Sequence, residues 1–244
     1  ALAVALEPTV VLMENVPGLL GRRGKAHFVA ARQRLEAAGY EVAHQVMQAA
    51  DYGVASMRRR AIVVAARGPW EFPPATHPQD AHATVRGALA GLPEPPLDGA
   101  PHPDFANHAR VRISDLNRQR IGHVPPGGGR LDIPEELQLP CHRNAGAHRH
   151  LDVFGRMEWD RPGPTITALF DSFSRGRFAH PERDRAITGR EGARLQSFPD
   201  DFVFEGAKKQ VARQIGNAVP PLLAQALGRA LIDAHRRSRS PRAR

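Results

Sequence analysis

The chain has 244 residues, and 34 Lys and Arg against 25 Asp and Glu leave a net charge of +9. A single cysteine rules out an internal disulfide and with it a disulfide scaffold. No apolar run approaches the ~18 residues that suggest a membrane span. The 22 Gly and 22 Pro together stay below the ~25–30% share typical of low-complexity disorder.

Proline is nevertheless about twice its usual ~5% share, which points to long ordered loops. The lysines are Lys25, Lys208 and Lys209, so nearly all the basic charge is arginine. A basic excess is the footprint expected of a polyanion binder, although an arginine bias also follows from GC-rich coding. Nothing at the start resembles a cleavable signal. A cytoplasmic setting without membrane contact is expected.

Residues 1–68 alternate apolar runs with helical stretches. Ala1 to Leu6 reads as helix. Thr9-Val10-Val11-Leu12-Met13 is a short β-branched run, read as a buried strand. His27 to Ala38 places Phe28, Ala31 and Leu35 at helical spacing, and Gly39 follows as a stop signal. Tyr40-Glu41-Val42 and Ala61-Ile62-Val63-Val64-Ala65 read as strands. Strand, helix and strand in this order predict an α/β unit with a parallel sheet.

Residues 69–180 are dominated by Pro, Gly, His and Arg, with weak periodicity. Pro73-Pro74, Pro95-Pro96 and Pro125-Pro126-Gly127-Gly128-Gly129 break any long element. Apolar anchors recur, among them Phe105, Ile121, Phe154, Ile166 and Phe170, so the zone reads as a loop-rich second domain. Residues 181–235 return to helices. Thr188 and Glu191 have capping-box spacing. Leu222, Leu223, Ala226, Leu227, Ala230 and Leu231 form an apolar stripe after Pro220-Pro221. The tail 236–244 is basic and reads as a solvated end within reach of phosphates.

Four segments carry chemistry. Glu14-Asn15-Val16-Pro17-Gly18 follows the first strand, and ligands bind at the carboxyl ends of strands in open α/β sheets. A carboxylate there can do acid–base work; in isolation, Glu14 reads better as a capping or surface acid. Asp51-Tyr52-Gly53-Val54-Ala55-Ser56-Met57-Arg58-Arg59-Arg60 precedes a strand. Extended chain there sends Arg58 and Arg60 to one face and Arg59 to the other. Two guanidiniums aimed into a site suit a phosphate or a base carbonyl, and a solvated basic turn is the alternative. The third segment runs from Arg185 to Phe202 and includes Thr188-Gly189-Arg190-Glu191-Gly192-Ala193-Arg194-Leu195-Gln196-Ser197-Phe198-Pro199. The fourth is Gln214-Ile215-Gly216-Asn217-Ala218-Val219-Pro220-Pro221.

In this order the four segments resemble the C-terminal portion of the DNA cytosine-5 methyltransferase family. The resemblance covers essentially the whole chain, and the third and fourth blocks are its specific part. It implies an α/β fold: the C-terminal part of a Rossmann-like S-adenosylmethionine-dependent methyltransferase domain. A loop-rich, mixed α+β target recognition domain would be inserted into it. Residues 1–68 would then be catalytic, 69–180 the target recognition domain, 181–235 the return to the catalytic domain and 236–244 a basic tail. The family adds a Cys thiolate to C6 of a flipped-out cytosine while an acid engages N3, and the activated C5 takes the methyl of S-adenosylmethionine. By resemblance Glu14 engages N3, Asn15 helps hold the nucleophile loop, and Arg58 and Arg60 support the reacting base. Asn217, Ala218 and Val219 would border the cofactor. The third block reads as structural, because a capped amphipathic helix mostly packs.

The family's Pro-Cys nucleophile loop and Gly-rich cofactor loop precede Glu-Asn-Val, and neither is present in this chain. The one Pro-Cys, Pro140-Cys141, lies in the recognition zone and reads as incidental or structural. His142, His148 and His150 near it match no zinc spacing, so no metal is expected. Two departures from the family pattern stand out. Ala55-Ser56 replaces the common Pro-Gln, and Gly192 replaces a helical Ala at a cost of up to ~1 kcal/mol.

The expected partners are double-stranded DNA and a separate N-terminal catalytic portion. The expected activity of the chain alone is slight. The alternatives are a non-catalytic, sequence-selective DNA-binding module or the complementing half of a split methyltransferase. An unpaired apolar sheet edge is expected to make the chain aggregate or depend on a partner. The candidate base-reading residues are Arg110, Arg112, Arg118, Arg120, Arg130, Arg143, Arg156, Arg175 and Arg177, most of them expected to touch phosphate or solvent.

Overall fold

The computed structural model describes residues 2–143 and 151–239. The chain divides into two compact units. One comprises Ala1–Gly53, Arg58–Gln79 and Leu222–Arg244, the other Val54–Met57 and Asp80–Pro221. Residues 181–221 therefore pack with the loop-rich zone that precedes them.

The first unit opens with helix α1 (Leu2–Leu6), strand β1 (Val10–Asn15), helix α2 (Lys25–Ala37) and strand β2 (Glu41–Gln48). Strand β3 (Arg59–Ala66) completes a three-stranded sheet of order β1-β3-β2. The sheet departs from the parallel arrangement expected from sequence. β3 lies between the other two and runs antiparallel to both, with Glu14 opposite Ile62 and Met47 opposite Arg60. The reason is length: the link from Gln48 to Arg59 is shorter than the dozen or more residues a parallel crossover needs. β1 and β2 remain mutually parallel on either side of it. As the central strand, β3 buries Ala61 to Ala66 completely, which is why it reads as an unbroken apolar run. β1 is a half-buried edge strand and not a buried one; Leu12 is exposed.

The end of α2 shows how local sequence fixes this unit. Gly39 takes φ +83°, a conformation that favours glycine. Its N–H donates to Glu36 O (3.0 Å), and the Tyr40 N–H donates to Leu35 O (3.1 Å). These are the two bonds of a Schellman motif. Its apolar contact is present too, since Leu35 and Tyr40 are buried together with Ala65 against Val11 and Val42. The Tyr40 hydroxyl then donates to Pro8 O at 2.6 Å.

The second unit contains α3 (Val85–Leu89), α4 (Asp115–Gly122), α5 (Pro140–Arg143), α6 (Gly189–Leu195) and α7 (Lys208–Asn217). Helix α8 (Pro221–Arg239) begins there and runs on through the first unit. The mixed α+β content expected of the recognition zone is not found. Among the described residues of the zone, β structure amounts to isolated bridges such as Arg156 with Ala179. Proline and glycine are frequent here and disfavour long ladders, as at Pro95-Pro96 and Pro125-Pro126-Gly127-Gly128-Gly129.

Arginine takes over the task of satisfying backbone carbonyls. Arg156 is buried and donates to Val124 O (2.7 Å), Ile121 O (2.7 Å), His180 O (2.9 Å) and Arg183 O (3.0 Å). Arg190, fully buried, donates to Ala106 O, Pro199 O and Phe202 O at 2.8–2.9 Å. Arg120 reaches Leu137 O, Arg130 reaches His142 O, and Arg177 reaches Gly127 O and Gly128 O. The expectation that most arginines of this zone meet phosphate or solvent is therefore wrong for Arg120, Arg130, Arg156 and Arg177.

Helix α6 carries the unit's buried ion pair. The Thr188 hydroxyl accepts from the Glu191 N–H (3.2 Å), and the Glu191 carboxylate accepts from the Thr188 N–H (2.7 Å), completing the capping box. Arg185 grips the same carboxylate with two bonds, at 2.7 and 2.8 Å, and also holds Glu94 at 2.8 Å. Burial pushes the Glu191 carboxyl up, yet bonding to Arg185 outweighs it and holds the group below its ordinary range. His180 packs beside them, 4.0 Å from Glu191. Its Nδ1 accepts from the Glu182 and Arg183 N–H groups. Burial depresses His180 to about 4, with Glu191 opposing and Arg185 reinforcing the shift.

Gly192 now has a physical reason. A Cβ there would lie 2.5 Å from the ring of Phe170, a fully buried core residue. Gly192→Ala is expected to destabilise the protein by about 1–2 kcal/mol in urea denaturation, because overpacking exceeds the ~1 kcal/mol gain in helix propensity. Stabilisation by that substitution would refute the contact. Protonation of His180 gives a second expectation. A depressed histidine stabilises the fold above its unfolded value of ~6.5, and this contribution is lost as pH falls through about 4. His108 is shifted in the same direction, again chiefly by burial. Stability should thus fall by roughly 1.4 kcal/mol per pH unit between pH ~6.5 and about 4 through His180, with His108 adding to the fall in the same direction. His180→Asn, whose side-chain oxygen can replace the Nδ1 acceptor, should remove one proton's share of that slope.

Candidate functional site

Glu14 and Asn15 end β1, and Arg60 lies near the start of β3. Antiparallel register sets Glu14 opposite Ile62, so Arg60 is its diagonal neighbour on the same face. Their charged ends meet: Arg60 Nε lies 2.7 Å from Glu14 Oε1. Arg58 is completely buried, Arg59 is exposed and Arg60 is partly buried, the alternation expected of extended chain. Burial lowers Arg58 to about 10, with the neighbouring Arg60 cation adding to the shift and Glu14 opposing it. Arg60 is lowered by burial and pulled back by Glu14. Both arginines therefore stay charged at neutral pH, and the strand end presents one carboxylate against two cations. Such a carboxylate is oriented by its ion pair and remains able to accept or share a proton with a ring nitrogen.

Asn15 shapes the chain that follows. Its side-chain oxygen accepts from the Val16 N–H at 2.8 Å, which turns the backbone into the 3-10 turn Pro17–Leu19. Ala49 N–H donates to Arg58 O at 2.8 Å.

The segment preceding Arg58 is held in a way that sequence reasoning missed. The Ser56 hydroxyl donates to Pro164 O (2.7 Å) and the Thr165 hydroxyl to Met57 O (2.5 Å). Backbone bonds Met57 N–H to Gly163 O (2.8 Å) and Gly163 N–H to Ala55 O (2.9 Å) complete the seam. The Ala55-Ser56 departure therefore leaves a fixed backbone. The available signal was the run Gly163-Pro164-Thr165, a turn dipeptide followed by a hydroxyl.

Asn217, Ala218 and Val219 lie apart from these residues in the chain. Asn217 is exposed and ends α7, and α8 begins four residues on at Pro221. Ala218 and Val219 are half-buried. The stretch is seated by its neighbours. The Gln196 side-chain amide donates to Ile215 O, and the Gln214 amide to Glu205 O at 2.8 Å. Gly216 packs directly on the backbone of Thr167 and Ala168, where any Cβ would collide. An exposed carboxamide beside two small apolar side chains suits the polar edge and apolar face of a nucleoside.

Cys141 and His142 lie in α5; Cys141 is exposed and is a free thiol. His148, His150 and residues 240–244 of the basic tail lie outside the described residues. Among the described residues, no helix is long and apolar enough to cross a membrane, and no three metal-ligating side chains cluster.

Comparison with known proteins shows the family to which the chain is similar. The family described as C-5 cytosine-specific DNA methylase matches residues 2–233. The chain is 41% identical to type II methylase M.HgiDII of Herpetosiphon aurantiacus, over 96% of this chain and 68% of the relative. It is 34% identical to type II methyltransferase M1.HphI of Haemophilus parahaemolyticus, over 93% of this chain and 57% of the relative. The chain thus spans between about half and two thirds of these relatives. Among solved structures, a DNA modification methyltransferase encoded within an E. coli prophage superposes with a TM-score of 0.64 at 25% identity, covering 96% of this chain and 72% of that one. The S. pombe Dnmt2 methyltransferase shares the fold, with a TM-score of 0.51 at 15% identity over 94% and 68% of the two chains.

Gly216→Ala is expected to lower stability by about 1–3 kcal/mol, because backbone on the facing segment cannot rotate away as a side chain can. A urea midpoint equal to that of the parent would show that residues 167–168 yield.

Proposed function

Because the chain belongs to the C-5 cytosine-specific DNA methylase family, we propose that it forms the C-terminal portion of a type II DNA cytosine-5 methyltransferase. The complete enzyme moves a methyl group from S-adenosylmethionine to C5 of cytosine within a short double-stranded DNA sequence. In this reading residues 1–68 belong to the catalytic domain, 69–180 to the target recognition domain inserted in it, and 181–235 to the returning catalytic domain. The observation that carries the reading is the Glu14 carboxylate fixed at a strand end by Arg60, beside the buried Arg58.

Each group has a task in that chemistry. Cytosine C5 is a weak nucleophile, and it is activated when a thiolate adds to C6 of the flipped-out base. Glu14 engages N3 and steadies the charge that the addition creates. Arg60 orients Glu14 through their ion pair. Arg58 adds a buried positive charge on the same side of the strand. Asn15 holds the turn that follows the strand, which keeps the base-facing backbone in place.

S-adenosylmethionine, the methyl donor of the family, supplies an electrophilic methyl on a sulfonium. Asn217, Ala218 and Val219 would hold its adenosyl end, the carboxamide offering hydrogen bonds and the two small side chains an apolar surface. The Pro-Cys and Gly-rich blocks of the family are not among the blocks this chain carries, so the reading assigns the nucleophile to a further portion of the protein. Exposure of the β1 edge and of Leu12 supports such a portion, since an open strand edge accepts another strand.

Glu14→Gln keeps the shape and the acceptor for Arg60 but removes the acid. In the complete enzyme it is expected to slow methyl transfer by about 10²-fold or more, with DNA affinity within about threefold of the parent. Labelled methyl transfer and DNA binding measured side by side decide it. An equal loss in both would make Glu14 a structural residue.

A further inference from the structure

The second unit's arginines separate into those committed to the protein and those that are not. Arg120, Arg130, Arg156 and Arg177 serve backbone carbonyls, as described above. Arg110 bonds Glu94 and Pro95 O, Arg118 pairs with Asp115, and Arg143 reaches Glu136 O. Of the nine candidates in this zone, Arg112 and Arg175 alone make no side-chain hydrogen bond or ion pair among the described residues.

Arg175 differs from Arg112 in what carries it. It ends the 3-10 turn Phe173–Arg175, and the rings of Phe170 and Phe173 are buried on the two sides of Asp171-Ser172. Phe154 N–H donates to Phe173 O at 2.7 Å, and Arg175 N–H to Ser172 O at 3.1 Å. Gly176 follows where a Cβ would lie 2.6 Å from the Phe178 ring, and Arg177 is tied down at Gly127 O and Gly128 O. The backbone is thus held before and after Arg175, while Leu169, Ser174 and Arg175 are exposed. Together with Val153 and Thr167 these three line an open cleft of about 500 Å³.

A phosphate contact needs only charge within reach. A base-edge contact needs a guanidinium fork carried on backbone that is fixed relative to the groove. Arg175 is displayed on such backbone, at the rim of an open cleft that also exposes Thr167 and Ser174 hydroxyls and the Leu169 side chain. We propose that Arg175 is a specificity-determining residue that reads a guanine of the DNA site through its O6 and N7 acceptors, with Leu169, Thr167 and Ser174 shaping the cleft around the base-pair edge. The assignment rests on the reading above that the partner is double-stranded DNA.

The test is selection from duplexes randomised around a central cytosine, with bound DNA sequenced for the complete parent enzyme and for the same enzyme carrying Arg175→Ala, Arg175→Lys or Arg112→Ala. Arg175 is exposed, so thermal melts of its variants should match the parent. The parent should enrich a sequence containing guanine. Arg175→Ala should lose that preference at one position by about 5- to 150-fold, with the other positions unchanged. Arg175→Lys should restore only part of it, because a point charge lacks the fork. Arg112→Ala supplies the pattern of plain charge loss: weaker binding to every sequence and a shallower salt dependence. The same uniform pattern in Arg175→Ala would overturn the assignment, as would unchanged selection. Absence of any duplex binding by the parent would instead overturn the DNA reading itself.

Discussion

The buried pair of Arg185 and Glu191 is the constraint on which the second unit depends. Two charges taken out of water cost several kcal/mol each, and they are tolerated only where bonds saturate them. Here saturation is nearly complete. The Glu191 carboxylate accepts two bonds from Arg185 and one from the Thr188 N–H, and Arg185 also holds Glu94 and Ala186 O. The network extends to His108, whose ring bridges the Thr188 hydroxyl (2.8 Å) and Pro93 O (2.7 Å). Pro93 O can only accept, so Nε2 carries the proton and Nδ1 takes the hydroxyl hydrogen of Thr188. That assignment agrees with burial holding His108 below its ordinary value. One ion pair thereby fixes the start of α6, the 93–94 loop and residues 106–108 in a region with no sheet to order it.

Arginine extends the same principle. A loop buries carbonyls that a sheet would have paired, and an unpaired buried carbonyl is costly. A guanidinium carries five donors in a rigid plane, so one side chain can serve several loops. Arg156 does so for four separate carbonyls and adds Asp184 at 2.5 Å. The basic composition therefore has two sources that charge counting cannot separate. Part of the +9 is an internal scaffold and is unavailable to DNA.

Local signals in the sequence were legible because they act through nearest neighbours. Gly39 after α2, the Thr188–Glu191 box and the alternation of Arg58, Arg59 and Arg60 need only a few consecutive residues to be recognised. Strand order was not legible. An apolar run announces a buried strand but not its partner, and the antiparallel placement of β3 follows from a link length whose consequence is topological. The strand limits also moved, placing Glu14 and Asn15 inside β1 instead of after it. Arginine roles were least legible. Nothing next to Arg156 or Arg175 in sequence says that one is swallowed by carbonyls and the other is not, because those carbonyls come from residues up to 35 positions away.

Departures from a family pattern were similarly opaque until the contacts were known. Glycine in a helix reads as a loss, yet Gly192 is the residue that admits the Phe170 ring. Phe170 belongs to the segment 167–173, and that segment also meets Gly216 at Thr167 and Ala168. Two glycines on different helices thus make room for two neighbouring points of one short loop. A Cβ at either would push the loop, and the loop carries Leu169 and leads into Arg175. The space kept open inside the unit and the residues displayed on its surface are therefore two faces of the same packing.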